Sequence, residues 1–268
     1  MSLFLPPEIL DLIVDHLHDK LTTLRASCLV SKSWVPRTRK HLFDQVNFSR
    51  RGSTPESWME TFLDPSNSPA RYTRTLYLSD IKVVTTAISD ALPWIRAFNN
   101  IVNLRVNPVE RRYGHQISFT QFHGISPTLK SINLSYNLVQ PPEVLDLVCS
   151  FPLLEDLTLF SVIPRPKGNT NTNKWNVLPA LPKFTGSLSL NGENGDVMRI
   201  LLALPGGLRF SKIRVLSPFK DADLAKVLVT SCSNTLESLC VDFYQRAFST
   251  ALVVYQYLIT TPNSFRHA

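Results

Sequence analysis

The sequence lacks the motifs from which most enzymes can be recognised. It contains no Gly-x-Ser-x-Gly, no Walker loop, no Gly-x-Gly-x-x-Gly and no His-Glu-x-x-His. Neither an activated nucleophile nor a phosphate-cradling loop is therefore indicated. We predict that the chain is not an enzyme, has no catalytic residue and needs no cofactor.

Cysteine is scarce, and the sequence contains no Cys-x-x-Cys pair of the kind that would indicate zinc or redox chemistry. His16 and His18 are only two residues apart on a predicted helix, where they point to different faces, so we expect no metal site. The four cysteines lie within apolar runs and are expected to be buried, reduced thiols: Cys28, Cys149, Cys232 and Cys240.

Long hydrophobic runs are absent as well. The longest aliphatic stretches, such as 251–259, fall far short of the ~20 residues of a membrane-spanning helix. The first residues carry no basic segment, and Pro6, Pro7 and Glu8 interrupt their apolar character. We expect a soluble intracellular protein, cytoplasmic and/or nuclear, with no membrane partner.

Acidic residues are fewer than basic ones, with 21 Asp and Glu against 28 Lys and Arg, a net charge of +7. The basic residues form only small clusters between stretches of amphipathic sequence, with no arginine–glycine tract or zinc-finger spacing. This pattern favours a solvated surface over a nucleic-acid partner. Hydrophobic residues make up 44% of the 268 positions, enough for a sizeable core in one large or two smaller units.

The first fifty residues predict three short helices, at 5–17, 22–32 and 34–43. Pro6 and Pro7 suit a first helical turn, and Glu8 lies where the helix dipole favours an anion. Apolar residues cover a wide arc of the first helix. So small a unit cannot bury all of this surface internally, and a partner surface is implied.

Three blocks in this segment resemble the conserved blocks of F-box proteins, in the style common in fungal families. They are Leu-Pro-Pro-Glu-Ile-Leu at 5–10, Leu-Val-Ser-Lys-Ser-Trp at 29–34 and His-Leu-Phe at 41–43. The resemblance implies an F-box-like module over residues 1–48 that docks on the Skp-type adaptor of cullin–RING ubiquitin ligases. The adaptor-binding residues implied are Leu5, Pro6, Glu8, Ile9, Leu10, Ile13, Leu29, Val30 and Trp34.

After a predicted linker at 49–70, which is rich in Arg, Gly, Ser and Pro, short strand-like pieces recur along the chain. Successive pieces begin 28, 28, 25, 31, 25 and 26 residues apart, a period within the range of repeat proteins. The seven pieces span residues 76–78, 104–106, 132–134, 157–159, 188–190, 213–215 and 239–241. They predict one continuous parallel sheet.

Five of these pieces carry an apolar residue three positions earlier, which gives Leu-x-x-Leu-x-Leu, a pattern that resembles a leucine-rich repeat; Thr73 and Thr185 stand there in the other two. Helical candidates lie between strands at 142–149, 196–204, 221–231 and 247–259. The fold class we predict is α+β overall. A short all-α three-helix F-box-like module precedes a leucine-rich-repeat-like α/β solenoid of about seven irregular repeats over 71–268.

These patterns predict a substrate-recognition adaptor of an SCF-type ubiquitin ligase, with the Skp-type adaptor and its cullin complex as partners and a target protein held by the repeats. A scaffold of leucine-rich repeats without a role in ubiquitylation is the alternative. Residues 163–184 are predicted to form a long surface loop. The expected target-binding residues point outward from the strands. The same face could equally be an ordinary solvated side of the sheet. The expected residues are Tyr77, Arg105, Asn107, Asn133, Ser135, Thr158, Phe160, Asn191 and Arg214.

Overall fold

The structure is a computed structural model. It describes residues 6–49, 54–62, 64, 67–79, 94–107, 122–123, 125–135, 141–161, 184–204, 207–246 and 252–259. Within these ranges the fold is a mixture of α-helices and one largely parallel sheet, as the sequence predicts at this level. The helices are α1 (Pro7–His16), α2 (Leu21–Val30), α3 (Val35–Leu42), α4 (Pro55–Thr61), α5 (Pro141–Cys149), α6 (Gly195–Ala203) and α7 (Ala222–Ser231).

In the described part of the chain, nine strands form one sheet in the order of the sequence. They are β1 (Gln45–Ser49), β2 (Thr75–Ser79), β3 (Asn103–Asn107), β4 (Ser131–Ser135), β5 (Asp156–Ser161), β6 (Ser187–Gly192), β7 (Lys212–Pro218), β8 (Ser238–Arg246) and β9 (Leu252–Ile259). The first eight are parallel, and β9 returns antiparallel to β8. Each strand therefore pairs only with the strands that precede and follow it in the described sequence.

The register of the sheet aligns the predicted strand pieces. Leu76 pairs with Leu104, and the same row continues across the sheet to Leu239. All seven predicted strands and their parallel pairing are confirmed. The row consists of Leu76, Leu104, Ile132, Leu157, Leu188, Ile213 and Leu239.

One side of the sheet forms the hydrophobic core, because alternate residues of a strand point to opposite faces. Leu104 and Val106 on β3 are buried, whereas Arg105 between them is exposed. At the β1 end the core is aromatic, since the rings of Phe48 and Trp58 meet edge to face with centroids 5.6 Å apart. A single buried cluster extends from β1 to β8.

The strands are also linked where they begin. At six of the seven parallel strand pairs, one backbone carbonyl accepts hydrogen bonds from two successive N–H groups where the next strand begins, as Asp44 does from Arg74 and Thr75 at 2.9 Å. Between β5 and β6 the Glu155 carbonyl accepts from Gly186, and the Ser187 N–H donates to Oδ1 of Asp156. This arrangement recurs across the sheet and fixes the register of each strand on its predecessor. The accepting carbonyls belong to Asp44, Arg74, Val102, Lys130, Gly186 and Ser211.

The predicted helices correspond closely to α1–α3 and α5–α7, with one error. The sequence predicted a helix at 247–259, but 252–259 form strand β9. This segment is rich in β-branched and aromatic residues, which favour a strand, and β8 offers an unpaired edge. The apolar spacing of this segment fits a helix, but its residue types favour a strand, and pairing with β8 stabilises the strand.

Strand β1 was not predicted at all. It lies at the end of the segment assigned to the helical module and pairs with β2 along its whole length. Val46 and Phe48 on β1 are buried, and Val46 precedes Leu76 by 30 residues, within the spacing of the other strands. The divisions at residues 48 and 70 stay predictions, as does the loop at 163–184, of which 163–183 lie outside the described residues.

Candidate functional site

The three N-terminal helices share a small interior. Its buried side chains include Val14 on α1, Leu24 and Ser27 on α2 and Thr38 on α3. The Thr38 hydroxyl donates to the carbonyl of Trp34, which satisfies it without a partner from another helix (2.7 Å). With so few buried residues, the unit has little apolar burial to hold its helices together.

A charged cluster around Asp15 joins α1 to α3. Its carboxylate accepts hydrogen bonds from Arg37 at Nε, 2.6 Å away, and at a terminal guanidinium nitrogen. His41 Nε2 lies 2.7 Å from the same carboxylate. The hydrogen bonds from Arg37, with the one from His41, hold the pKa of Asp15 well below its usual range. The two-point geometry of arginine on a carboxylate fixes the angle between the two helices.

The outward sides of α1 and α2 are unusually apolar. Leu12 is 61% exposed, Leu29 89% and Val30 69%. Six of the ten large hydrophobic side chains that the described part of the chain exposes lie on these two helices: Ile9, Leu12, Ile13, Leu21, Leu29 and Val30. We call these six residues the apolar helical surface. Scattered exposed hydrophobics are ordinary, but six within thirty residues are typical of a surface that is covered by a partner.

The residues predicted to bind the adaptor are mostly accessible. Pro6 and Glu8 are exposed, like four of the apolar residues above, whereas Leu10 and Trp34 are half-buried. Leu5 lies outside the described residues. The sequence interpretation missed Leu12 and Leu21. The spacing of Leu12 three residues after Ile9 was the signal that could have identified it, since residues three and four apart share a helix face.

The second candidate surface is the side of the sheet opposite the core, which we call the outer face. Its middle row crosses eight strands in register. The row consists of Asn47, Tyr77, Arg105, Asn133, Thr158, Ser189, Arg214 and Cys240. Five of the nine residues predicted to bind a target lie in this row, so the fold brings together residues up to 137 positions apart in the sequence (Tyr77 to Arg214).

The other four predicted residues lie two positions further along their strands. Phe160 pairs with Ser135 on one side and with Asn191 on the other, and Asn107 pairs with Ser79. These residues form the carboxyl-end row of the outer face. Leu216 and Asp242 extend this row across β7 and β8 and were not predicted, although the same alternation indicates them.

One side chain of the outer face is held in place by an aromatic ring. The guanidinium carbon of Arg105 lies 5.0 Å from the centroid of the Tyr77 ring, a cation–π contact that orients the arginine. Arg105 and Arg214 are both exposed. Within the described ranges, no carboxylate lies within ion-pair distance of either guanidinium. Both arginines are therefore available to an anionic partner.

The thiols and the acidic groups offer no assembled chemistry. Burial raises the pKa of Cys149 to about 11 and also raises the pKa of Cys232, so both thiols are poor nucleophiles. Cys28 and Cys240 are only half-buried, although the sequence predicted buried thiols. Among the residues that can be described, no three His, Cys, Asp or Glu side chains converge as a metal site would need.

Helix length bears on the membrane question. Across the described ranges, no helix is long and apolar enough to cross a bilayer.

His18 lies beyond the end of α1, where its Nδ1 is 2.9 Å from the Asp15 carbonyl oxygen. It therefore does not share a helix with His16, contrary to the prediction from the sequence.

Comparison with known proteins adds no family. No protein-family model matches the sequence, and no curated protein is found to be similar to it.

Proposed function

We propose that this protein is a substrate-recognition adaptor of an SCF-type ubiquitin ligase. In this proposal an F-box-like module at the N-terminus binds a Skp-type adaptor, and a leucine-rich-repeat-like solenoid holds a target protein. The observation that carries it is the apolar helical surface, of which Ile9, Leu29 and Val30 lie in the sequence blocks that resemble an F-box. Leu29 and Val30, the most exposed of its residues, begin the second block.

The energetics favour a partner for this surface. Full burial of a Leu, Ile or Val side chain contributes about 1.5–3 kcal/mol. A few such anchors in the centre of an interface supply most of its binding free energy. Exposed in water, the same side chains contribute nothing to folding. A partner that covers Leu12, Leu29 and Val30 would therefore gain free energy that the isolated chain does not use.

The sheet supports the second half of the proposal. Its strands recur at a near-constant interval, pair in chain order and carry Leu or Ile in the same buried row, as in a leucine-rich repeat. Alternate residues leave a broad outer face for a target. An adaptor that holds a target beside other catalytic subunits acts by proximity, so this chain needs no catalytic residue of its own.

The test is a calorimetric titration of the full chain with a recombinant Skp-type adaptor. Replacing Leu29 and Val30 together with alanine should weaken binding by about 2 kcal/mol or more, about thirtyfold in Kd. The thermal melt should not change, since both side chains are exposed. The matched control is Val227→Ala, which shortens a similarly exposed side chain on α7.

Two results would refute the proposal. One is a wild-type chain that does not bind the adaptor, and the other is a double variant that binds with unchanged affinity. Purification from cells then separates the ligase from the scaffold alternative. A cullin that co-purifies with the adaptor supports the ligase, whereas stable partners without adaptor or cullin favour the scaffold.

A further inference from the structure

The middle row of the outer face carries two cations that are separated by uncharged side chains. Arg105 lies on β3 and Arg214 on β7. Between them the row contains Asn133, Thr158 and Ser189, all half-buried. An anionic ligand that reaches both arginines must therefore cross three strands with no charge to meet between the ends.

The separation of the two arginines can be worked out from the register. They are four strand intervals apart, which at ~4.8 Å per interval is about 19 Å between their backbones. An extended polypeptide rises ~3.3 Å per residue and spans this distance in about six residues. Because six is an even number, the first and last side chains of such a segment point to the same side. One extended segment can thus direct two acidic residues at the two arginines.

An aromatic ring lies beside the centre of this path, in the carboxyl-end row. Phe160 on β5 is 37% exposed and lies two strands from Arg105 and two from Arg214. In an extended segment the residues that face the sheet near the midpoint are the second and the fourth after the first acidic residue. An apolar side chain at either position would cover the Phe160 ring.

The charges of the outer face agree with an anionic ligand. Lys212, two residues before Arg214 on β7, is also exposed and strengthens that end. Of the acidic residues on this face, Asp156 is engaged, because its Oδ1 accepts hydrogen bonds from the backbone and hydroxyl of Ser187 (both 2.7 Å). Asp242 is half-buried on β8, beyond the path between the arginines.

We infer that the outer face binds an extended segment of the target protein that runs across the strands, with two acidic residues six positions apart and an apolar residue between them. The inference rests on the proposed function, because it names the kind of target that the repeats hold. A nucleic acid fits less well. Its phosphates need a basic groove along the whole backbone, whereas the middle of this path is the uncharged Thr158, flanked on β5 by the Asp156 carboxylate and the exposed ring of Phe160.

The probe is a fluorescein-labelled, end-blocked heptapeptide with Glu at both ends, Leu at the third and fifth positions and Ser elsewhere. Its control has the same composition, with the second Glu and the second Leu exchanged, which brings the acidic residues closer together. In an anisotropy titration of the full chain, the control should bind about fivefold more weakly, the loss of one exposed ion pair.

Charge reversal tests the two arginines. Arg105→Glu and Arg214→Glu should each weaken binding of the first peptide about tenfold, since an attraction becomes a repulsion. The double variant should prefer a peptide with Lys in place of both Glu residues. Lys226→Glu is the matched control, an exposed cation on α7 away from the outer face, and it should leave binding unchanged.

The outcomes separate this inference from the proposed function. Equal binding of both peptides, no binding of either, or affinity unaffected by charge reversal overturns the inference, while adaptor binding of the same variants continues to support the F-box assignment. Displacement of the peptide by a short single-stranded oligonucleotide at lower concentration also overturns it. If the spacing preference holds but the adaptor does not bind, the proposed function fails alone.

Discussion

Leu157 provides a direct test of the sheet at its centre. Its side chain is 0% exposed and lies between Ile132 and Leu188 in the buried row. Truncating a leucine in such a position costs about 2–5 kcal/mol, which includes the cavity that remains. Leu157→Asp adds the burial of a carboxylate without a partner, which costs several kcal/mol more. The sum reaches the total stability of an ordinary domain, about 5–15 kcal/mol.

We therefore expect Leu157→Asp to abolish the cooperative melt of the sheet, as followed by circular dichroism. Thr158→Asp is the matched control, because it places the same charge one residue later, on the outer face. A half-exposed position should lose no more than about 1 kcal/mol. If both variants melted like the wild type, Leu157 would not face a dry core, and the register on which both candidate surfaces depend would be wrong.

Two further substitutions test the charged cluster around Asp15 and the buried residue Thr73, which precedes β2. Asp15→Asn should destabilise the chain by about 1 kcal/mol in urea denaturation at pH 7, because the carboxylate is one-third exposed and its bonds to Arg37 are partly screened. Folding lowers the pKa of Asp15, so the stability that its carboxylate contributes is present above the unfolded pKa of about 3.9 and is lost as the pH falls. The free energies of unfolding of the wild type and the variant should therefore converge in acid. A difference that stays constant with pH would contradict this. Thr73→Val should raise the free energy of unfolding by about 1 kcal/mol, because the buried Thr73 hydroxyl has no hydrogen-bond partner among the described residues; a less stable variant would show that it has one.

The buried rows were predictable from the sequence because of a simple physical constraint. A parallel strand with one buried face must alternate apolar and polar residues, and stacked units must present them at the same place. The sequence therefore indicated both Leu157 as core and Thr158 as surface, although 25 to 31 residues separate successive strands. The nine predicted outer-face residues follow from the same alternation.

The irregular positions were not predictable. Thr185 stands three residues before the fifth predicted piece, where four of the seven pieces carry a residue of the buried core. In the structure Thr185 is exposed, and the preceding Phe184 is buried with its ring centroid 5.1 Å from that of Phe210. Phe184 reaches this position with a φ of 42°, in a region that costs an L-residue about 1–2 kcal/mol. Burial of the aromatic ring offsets that cost, a balance that a spacing rule does not contain.

The apolar helical surface has a different physical origin from the core rows. On the sheet, each apolar side chain is covered by the next strand or helix of the same chain, so apolar residues accumulate without exposure. On α1 and α2 the same residue types face water, although both helices contact α3 and bury Val14 and Leu24. Packing the remaining side would need another layer, and the chain proceeds from α3 directly into β1. The exposed leucines therefore add nothing to the stability of this fold, and a bound partner is the physical reason we propose for keeping them there.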